Sequence, residues 1–186
     1  PYRFSWPAPA LGSHVLLARM TDSRGVALDA VPRTVLVSPE PVASSFIARY
    51  SVWKYHDTGL NLGSAWKESA YGDTAWSSGP ARLGYEDGAV TVVRYGPDPN
   101  AKHITTYFRR TFVVPTGAIY TNLFFQLQRD DGAVVWLNGV EAFRSNMPGS
   151  SVTYLALASA AVSGADEQAF FPTTVPATPL VPGTNV

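Results

Sequence analysis

Leu123-Phe-Phe-Gln-Leu-Gln-Arg129, Asp130-Asp-Gly132 and Ala133-Val-Val-Trp-Leu-Asn-Gly-Val-Glu-Ala-Phe143 together decide the fold. Apolar residues at 123, 125 and 127, and again at 135 and 137, recur at every second position, the period of a strand with one buried face. If the two runs pair, their inward residues share a face only when the connection is odd in length. Asp130-Asp131-Gly132 is such a connection, and it predicts a hairpin with Gly132 at positive φ. Asn138-Gly139 predicts a second, primed turn that sets Leu137 opposite Val140 and Val135 opposite Ala142. The same parity turns Phe124, Gln126, Trp136 and Glu141 toward the other face.

Outward from this stretch, short β-type runs alternate with Gly, Pro, Asn and Asp, and no segment keeps apolar residues at helical spacing for three turns. The expected fold is all-β, a β-sandwich or jelly roll. Further strands are expected at 46–55, 105–114 and 168–175, with a long loop-rich segment before residue 95. In Tyr107-Phe-Arg-Arg-Thr-Phe112, an inward Phe108 and Phe112 place Arg110 inward as well, where it requires a carboxylate, with Asp130 or Asp131 as the expected partner. Arg109 then faces outward, toward a ligand or solvent.

The first residues form a separate piece, with strands at 2–6, 14–21 and 27–37. Ser38-Pro-Glu-Pro-Val-Ala-Ser-Ser45 holds the backbone extended and marks a boundary. The expected organisation is a partial sheet over 1–38, a linker over 39–45 and a sandwich over 46–186. Val181-Pro-Gly-Thr-Asn-Val186 reads as a turn and the start of a further strand, so both ends are expected to be cuts from a larger chain.

Composition narrows the function. With 186 residues, 46% of them apolar, the chain can bury one substantial core and part of another. Acidic and basic residues balance at 14 each, so no net field draws it to nucleic acid or anionic lipid, and neither partner nor membrane insertion is expected. The absence of cysteine removes disulfides, thiolate nucleophiles and the common structural zinc sites.

Catalytic patterns are missing: there is no Gly-x-Ser-x-Gly, His-Glu-x-x-His, phosphate loop or dinucleotide fingerprint. His14, His56 and His103 are scattered and are assigned no role. Asp130-Asp131, Glu86-Asp87 and Asp166-Glu167 are adjacent pairs, whereas glycosidases hold two carboxyls about 5–10 Å apart across a cleft. No enzyme and no cofactor are expected. Trp53, Trp66 and Trp76 are assigned to the core and Trp6 to the first piece. Trp136, flanked by Gln126 and Glu141, suits either a sugar-stacking platform or an interdomain contact. Tyr95, in the long loop 85–102, adds an aromatic on the kind of loop that carries binding sites.

Arg129-Asp-Asp-Gly-Ala-Val-Val-Trp-Leu-Asn-Gly-Val-Glu141 resembles the central hairpin of galactose-binding-like jelly-roll domains of large secreted bacterial proteins. Tyr107-Phe-Arg-Arg-Thr-Phe112 is similar to a strand motif of that superfamily. Trp53-Lys-Tyr-His-Asp-Thr-Gly59, Tyr71-Gly-Asp-Thr-Ala-Trp76 and Leu83-Gly-Tyr-Glu-Asp-Gly88 fit it in order and spacing, with Gly72 departing from the expected aspartate. Gly12-Ser-His-Val-Leu-Leu-Ala-Arg-Met-Thr-Asp-Ser-Arg-Gly25 resembles the last strands of a bacterial immunoglobulin-like domain. The resemblance implies a secreted or cell-surface accessory module that binds glycan and lacks its final strand; Trp136, Gln126, Glu141, Tyr95 and Arg109, read from strand faces and loop position, are the candidate binding residues. The alternative is a spacer docked on a catalytic phosphoesterase or glycoside hydrolase of the same parent chain. The Asp130-Asp131 turn also resembles the calcium loop of protective-antigen-type adhesin domains. The competing reading, that both aspartates only build the turn, is preferred, since aspartate hydrogen-bonds its own turn backbone without an ion.

Overall fold

The computed structural model describes residues 5–6, 10, 12–37, 45–85 and 88–186. Strands dominate it, and no helix of seven residues or more occurs among the described residues, so the fold is all-β and sandwich-like. The chain divides into two compact units, Pro1–Ser44 and Ser45–Val186. Most of the expected linker, part of the expected strand at 2–6, and Glu86-Asp87 lie outside the described residues; Ser5 and Trp6 belong to no strand.

In the first unit, β1 (Gly12–Leu16) pairs with β4 (Arg33–Val37), and β2 (Arg19–Thr21) pairs with β3 (Ala27–Asp29), all antiparallel. Asp22 builds the turn that joins β2 to β3: its Oδ1 accepts the Arg24 and Val26 amides at 2.8 and 2.9 Å. Leu17 and Ala18 on one arm face Ala30, Val31 and Pro32 on the other, so one residue is in excess and the hairpin is bulged. The two long strands expected here are therefore each broken in two.

The second unit centres on β5 (Val52–His56), which lies between β6 (Ser77–Pro80) and β9 (Tyr107–Arg109). β7 (Leu83–Gly84) and β8 (Thr91–Val92) form a short parallel pair. The remaining ladders are antiparallel: β10 (Phe112–Val114) with β15 (Gly183–Asn185), β11 (Asn122–Leu127) with β14 (Phe171–Pro176), and β12 (Ala133–Leu137) with β13 (Val140–Ser145). Leu123 and Leu137 are buried in one core with Ala177, and Phe46, Phe112, Phe125 and Val175 pack around them. Each fully buried leucine contributes roughly 1.5–3 kcal/mol.

Leu123, Phe125 and Leu137 lie inward as parity predicts, but Val135 and Trp136 are both half-buried, and the hairpin that predicted the pattern does not form. β11 pairs with β14 and not with β12, so Leu123 and Leu137 meet through the core instead of along a ladder. Gly132 does not adopt a positive φ. A Cβ there would lie 2.6 Å from Met147 Sδ and 2.8 Å from the Asn146 carbonyl oxygen, so close approach is what requires glycine. The second turn is as expected, with Asn138 and Gly139 at φ 51° and 83° and Leu137 opposite Val140. Beyond it the register shifts: Ala142 is the extra residue, and Val135 faces Phe143.

The expected strand over 105–114 changes partners midway. β9 pairs with β5 and β10 with β15, and Arg110 and Thr111 between them reset the alternation. Tyr107 and Arg109 are therefore buried and Phe108 is exposed, the reverse of the sequence reading. Residues Gly183–Asn185, read as part of a turn, form a strand.

Candidate functional site

Arg109, expected at the surface, is 3% exposed and holds the 66–73 segment against β9. Its Nε donates to Asp73 Oδ2 at 3.0 Å, and its Nη1 donates to the carbonyls of Trp66 and Glu68. Lys54 Nζ donates to the other Asp73 oxygen at 2.6 Å. Burial is the largest single influence on Asp73 and pushes its pKa up, but hydrogen bonds and charge from Lys54 and Arg109 together outweigh it and hold the carboxyl below its ordinary value. Arg110, expected to pair with Asp130 or Asp131, instead donates to the Val52 carbonyl. The charged partner is thus Asp73, in the Tyr71-Gly-Asp motif, and it serves Arg109.

The Trp136 platform is covered. Lys67 Nζ lies 3.4 Å from the Trp136 ring centroid, a cation–π contact. Glu141, directly across the ladder from Trp136, pairs with Arg144 at 2.5 Å. Hydrogen bonding from Arg144 is the main reason the Glu141 carboxyl sits below its ordinary pKa. Gln126 is engaged elsewhere, accepting from Arg49 Nη2 at 2.6 Å. Tyr95 packs edge-on against Tyr85 at 5.3 Å, and Lys102 lies over both rings. Of the five residues proposed for sugar binding, Trp136 and Glu141 are neighbours across one ladder, while Gln126, Tyr95 and Arg109 each have a different partner.

Asp131 staples loops together. Its Oδ1 accepts the Val162 amide at 2.7 Å, and its carbonyl accepts Arg129 Nη1 and Asn146 Nδ2 at 2.7 and 3.1 Å. Among the described residues no three His, Cys, Asp or Glu side chains gather as a metal site would require.

A different set of residues surrounds a cavity of about 330 Å³, at the lower end of the ~300–1,000 Å³ usual for small-ligand sites. The last residues of β5 run into Asp57 and Thr58, and across the ladder Ser77 opens β6 beside Trp76. Trp76 is buried against His56, with ring centroids 5.5 Å apart, and against Tyr71 at 6.0 Å. Asp57 is 8% exposed and its Oδ2 accepts the Arg94 amide at 2.7 Å. Its Oδ1 takes no hydrogen bond from the described residues. The Arg94 side chain is exposed and forms no ion pair with the described residues.

The wall of this cavity is clasped from behind. His103 Nδ1 lies 3.1 Å from the Asp57 carbonyl, and the His103 amide donates to the Tyr95 carbonyl at 2.7 Å. The imidazole sits so close to Gly59 and Gly96 that a Cβ on either would come within 2.6 and 2.9 Å of it. Both glycines have positive φ, so the two loops can fold around the ring only with glycine at these places. The cavity thus offers a carboxylate acceptor, a guanidinium donor, hydroxyls on Thr58 and Ser77, and an aromatic wall. That set suits hydrogen bonding to a polyhydroxylated ligand.

Sequence reading assigns no role to His56 and passes over Asp57 and Arg94. Asp57 and Arg94 are far apart in sequence and meet only because the fold brings the segment after β8 to the residue that follows β5. The fold and this polar cavity define the class: an all-β, sandwich-like domain with a candidate small-ligand site. No family model, no curated protein and no solved structure matches the chain.

Proposed function

We propose that the chain is a non-catalytic carbohydrate-binding module of the galactose-binding-like jelly-roll type, part of a larger exported bacterial protein and preceded by immunoglobulin-like strands. The observation that carries this reading is the cavity lined by Asp57, Arg94, His56 and Trp76, with Asp57 tied to the Arg94 backbone and His56 packed on Trp76. Asp57 accepts from sugar hydroxyls, Arg94 donates to them, and the aromatic wall takes the apolar face of the ring. Asp57 is the one carboxylate lining the cavity, short of the pair that glycoside hydrolysis uses. His56 Nδ1 lies 3.3 Å from Thr58 Oγ1 and not on a carboxylate that would orient it as a base for Ser77. Extracellular location and bacterial origin rest on the sequence resemblance.

Titration calorimetry of the whole chain against neutral and acidic oligosaccharides tests the proposal. Saturable binding that Asp57→Asn abolishes is the expected result, and no heat with any saccharide rejects it. The alternative of a spacer docked on a catalytic domain draws on exposed apolar side chains, Ile119 at 91% and Phe124 at 65%. It predicts no saccharide binding at all.

A further inference from the structure

We infer that the cavity selects acidic saccharides, with Arg94 binding the ligand's carboxylate; this rests on the carbohydrate-binding reading and deepens it. Arg94 is fixed through its own backbone, because its amide donates to Asp57 while its guanidinium has no acceptor among the described residues. An arginine in a built polar site, anchored at the main chain and unpaired at the side chain, presents a planar donor fork to a carboxylate.

The neighbouring residues add to this preference. The next residue, Tyr95, lies under Lys102, whose ammonium is 5.6 Å from the Tyr95 ring centroid and 4.5 Å from that of Tyr85. Lys102 forms no ion pair with the described residues, so a second cation without a counter-ion among them stands over the residue that follows Arg94. The one carboxylate in the lining, Asp57, is 8% exposed, with one oxygen already taken by the Arg94 amide. Its remaining oxygen accepts a ring hydroxyl, while Arg94, in the lining, is the cation that meets the carboxylate. A uronic acid ring carries both groups at once, hydroxyls for Asp57 and a carboxylate for Arg94.

Oligogalacturonate and its carboxyl-reduced counterpart, a galactose oligomer of equal length, differ only in the carboxylate and are the matched probes. Titration calorimetry of the full chain should show the acidic oligomer binding at least about tenfold more tightly than the neutral one, since a charge-assisted bidentate pair is worth more than a neutral hydrogen bond. That preference should shrink as salt is raised, because the cations lie at the surface. Arg94→Gln, at an exposed side chain whose removal leaves the backbone anchor in place, should bring acidic binding down to the level at which the same variant binds the neutral oligomer, without changing the melting temperature. Lys102→Gln should weaken acidic binding by a smaller factor, about twofold, as a screened neighbour does. Equal affinity for the two oligomers, or a preference that survives Arg94→Gln, overturns the inference and leaves saccharide binding standing. Absence of binding by either oligomer overturns both.

Discussion

A guanidinium buried as deeply as that of Arg109 must find its counter-charge inside the fold, and Asp73 supplies it. Removing Asp73 leaves the cation unpaired, and Asp73→Ala should lower unfolding free energy by about 3–5 kcal/mol in a denaturant titration. Arg109→Lys should be destabilising too, because an ammonium cannot reproduce a fork that reaches one carboxylate and two carbonyls. The depressed Asp73 pKa gives a pH signature. Its stabilisation is fully present above the ordinary value of 3.8 and is lost as pH falls through the lower folded-state value. Asp73→Asn should therefore remove part of the stability loss seen in wild type below about pH 4, measured as melting temperature against pH. The Arg109 side chain also shows why local pattern misled. Alternation counted back from Phe112 is valid only while one strand continues, and here the chain leaves one ladder and enters another at Arg110 and Thr111.

Among the elements, β15 and the Asn138-Gly139 turn depend on each other. Asn185 is fully buried: its Oδ1 accepts from Val181 N and Asn138 Nδ2 at 2.9 and 2.8 Å, and its Nδ2 donates to Val181 and Gly183 carbonyls at 2.7 and 2.9 Å. Asn138 Oδ1 in turn accepts the Val186 amide at 3.0 Å. Asn185→Ala strands several buried groups at about 1–3 kcal/mol each, and the expected outcome is a loss of at least about 2 kcal/mol in unfolding free energy. Gly59→Ala acts on the other clasp. Strain at positive φ and overlap with His103 should lower stability by about 1–3 kcal/mol and weaken saccharide binding in the same titration. Alternation and turn chemistry made the strands around 123–145 legible, including the primed turn and the apolar face. Which strands pair was not legible, because an inward side chain reports its face and not its neighbour: Leu123 and Leu137 reach one core without sharing a ladder. The cavity was hidden for a related reason, since Asp57 and Arg94 have no local pattern and are joined only by the fold.

At the scale of the whole molecule, each unit has its own ladders. The first unit is a bulged ribbon whose Val15, Met20, Leu28 and Val31 all remain exposed, and a two-stranded ribbon is marginal in water. Its amides should exchange hydrogen well before those of β5, β11 and β12, and a chain trimmed to residues 45–186 should keep the main cooperative melting transition of the full chain. The function assigned to the second unit stands on one place in it. Amide shift mapping by NMR during addition of oligogalacturonate locates the contact directly. The expected result is saturable shifts confined to residues 55–58, 75–77 and 92–95, with the Arg94 side chain among them. Shifts centred instead on Trp136 and Lys67, or none at saturating saccharide, would contradict it.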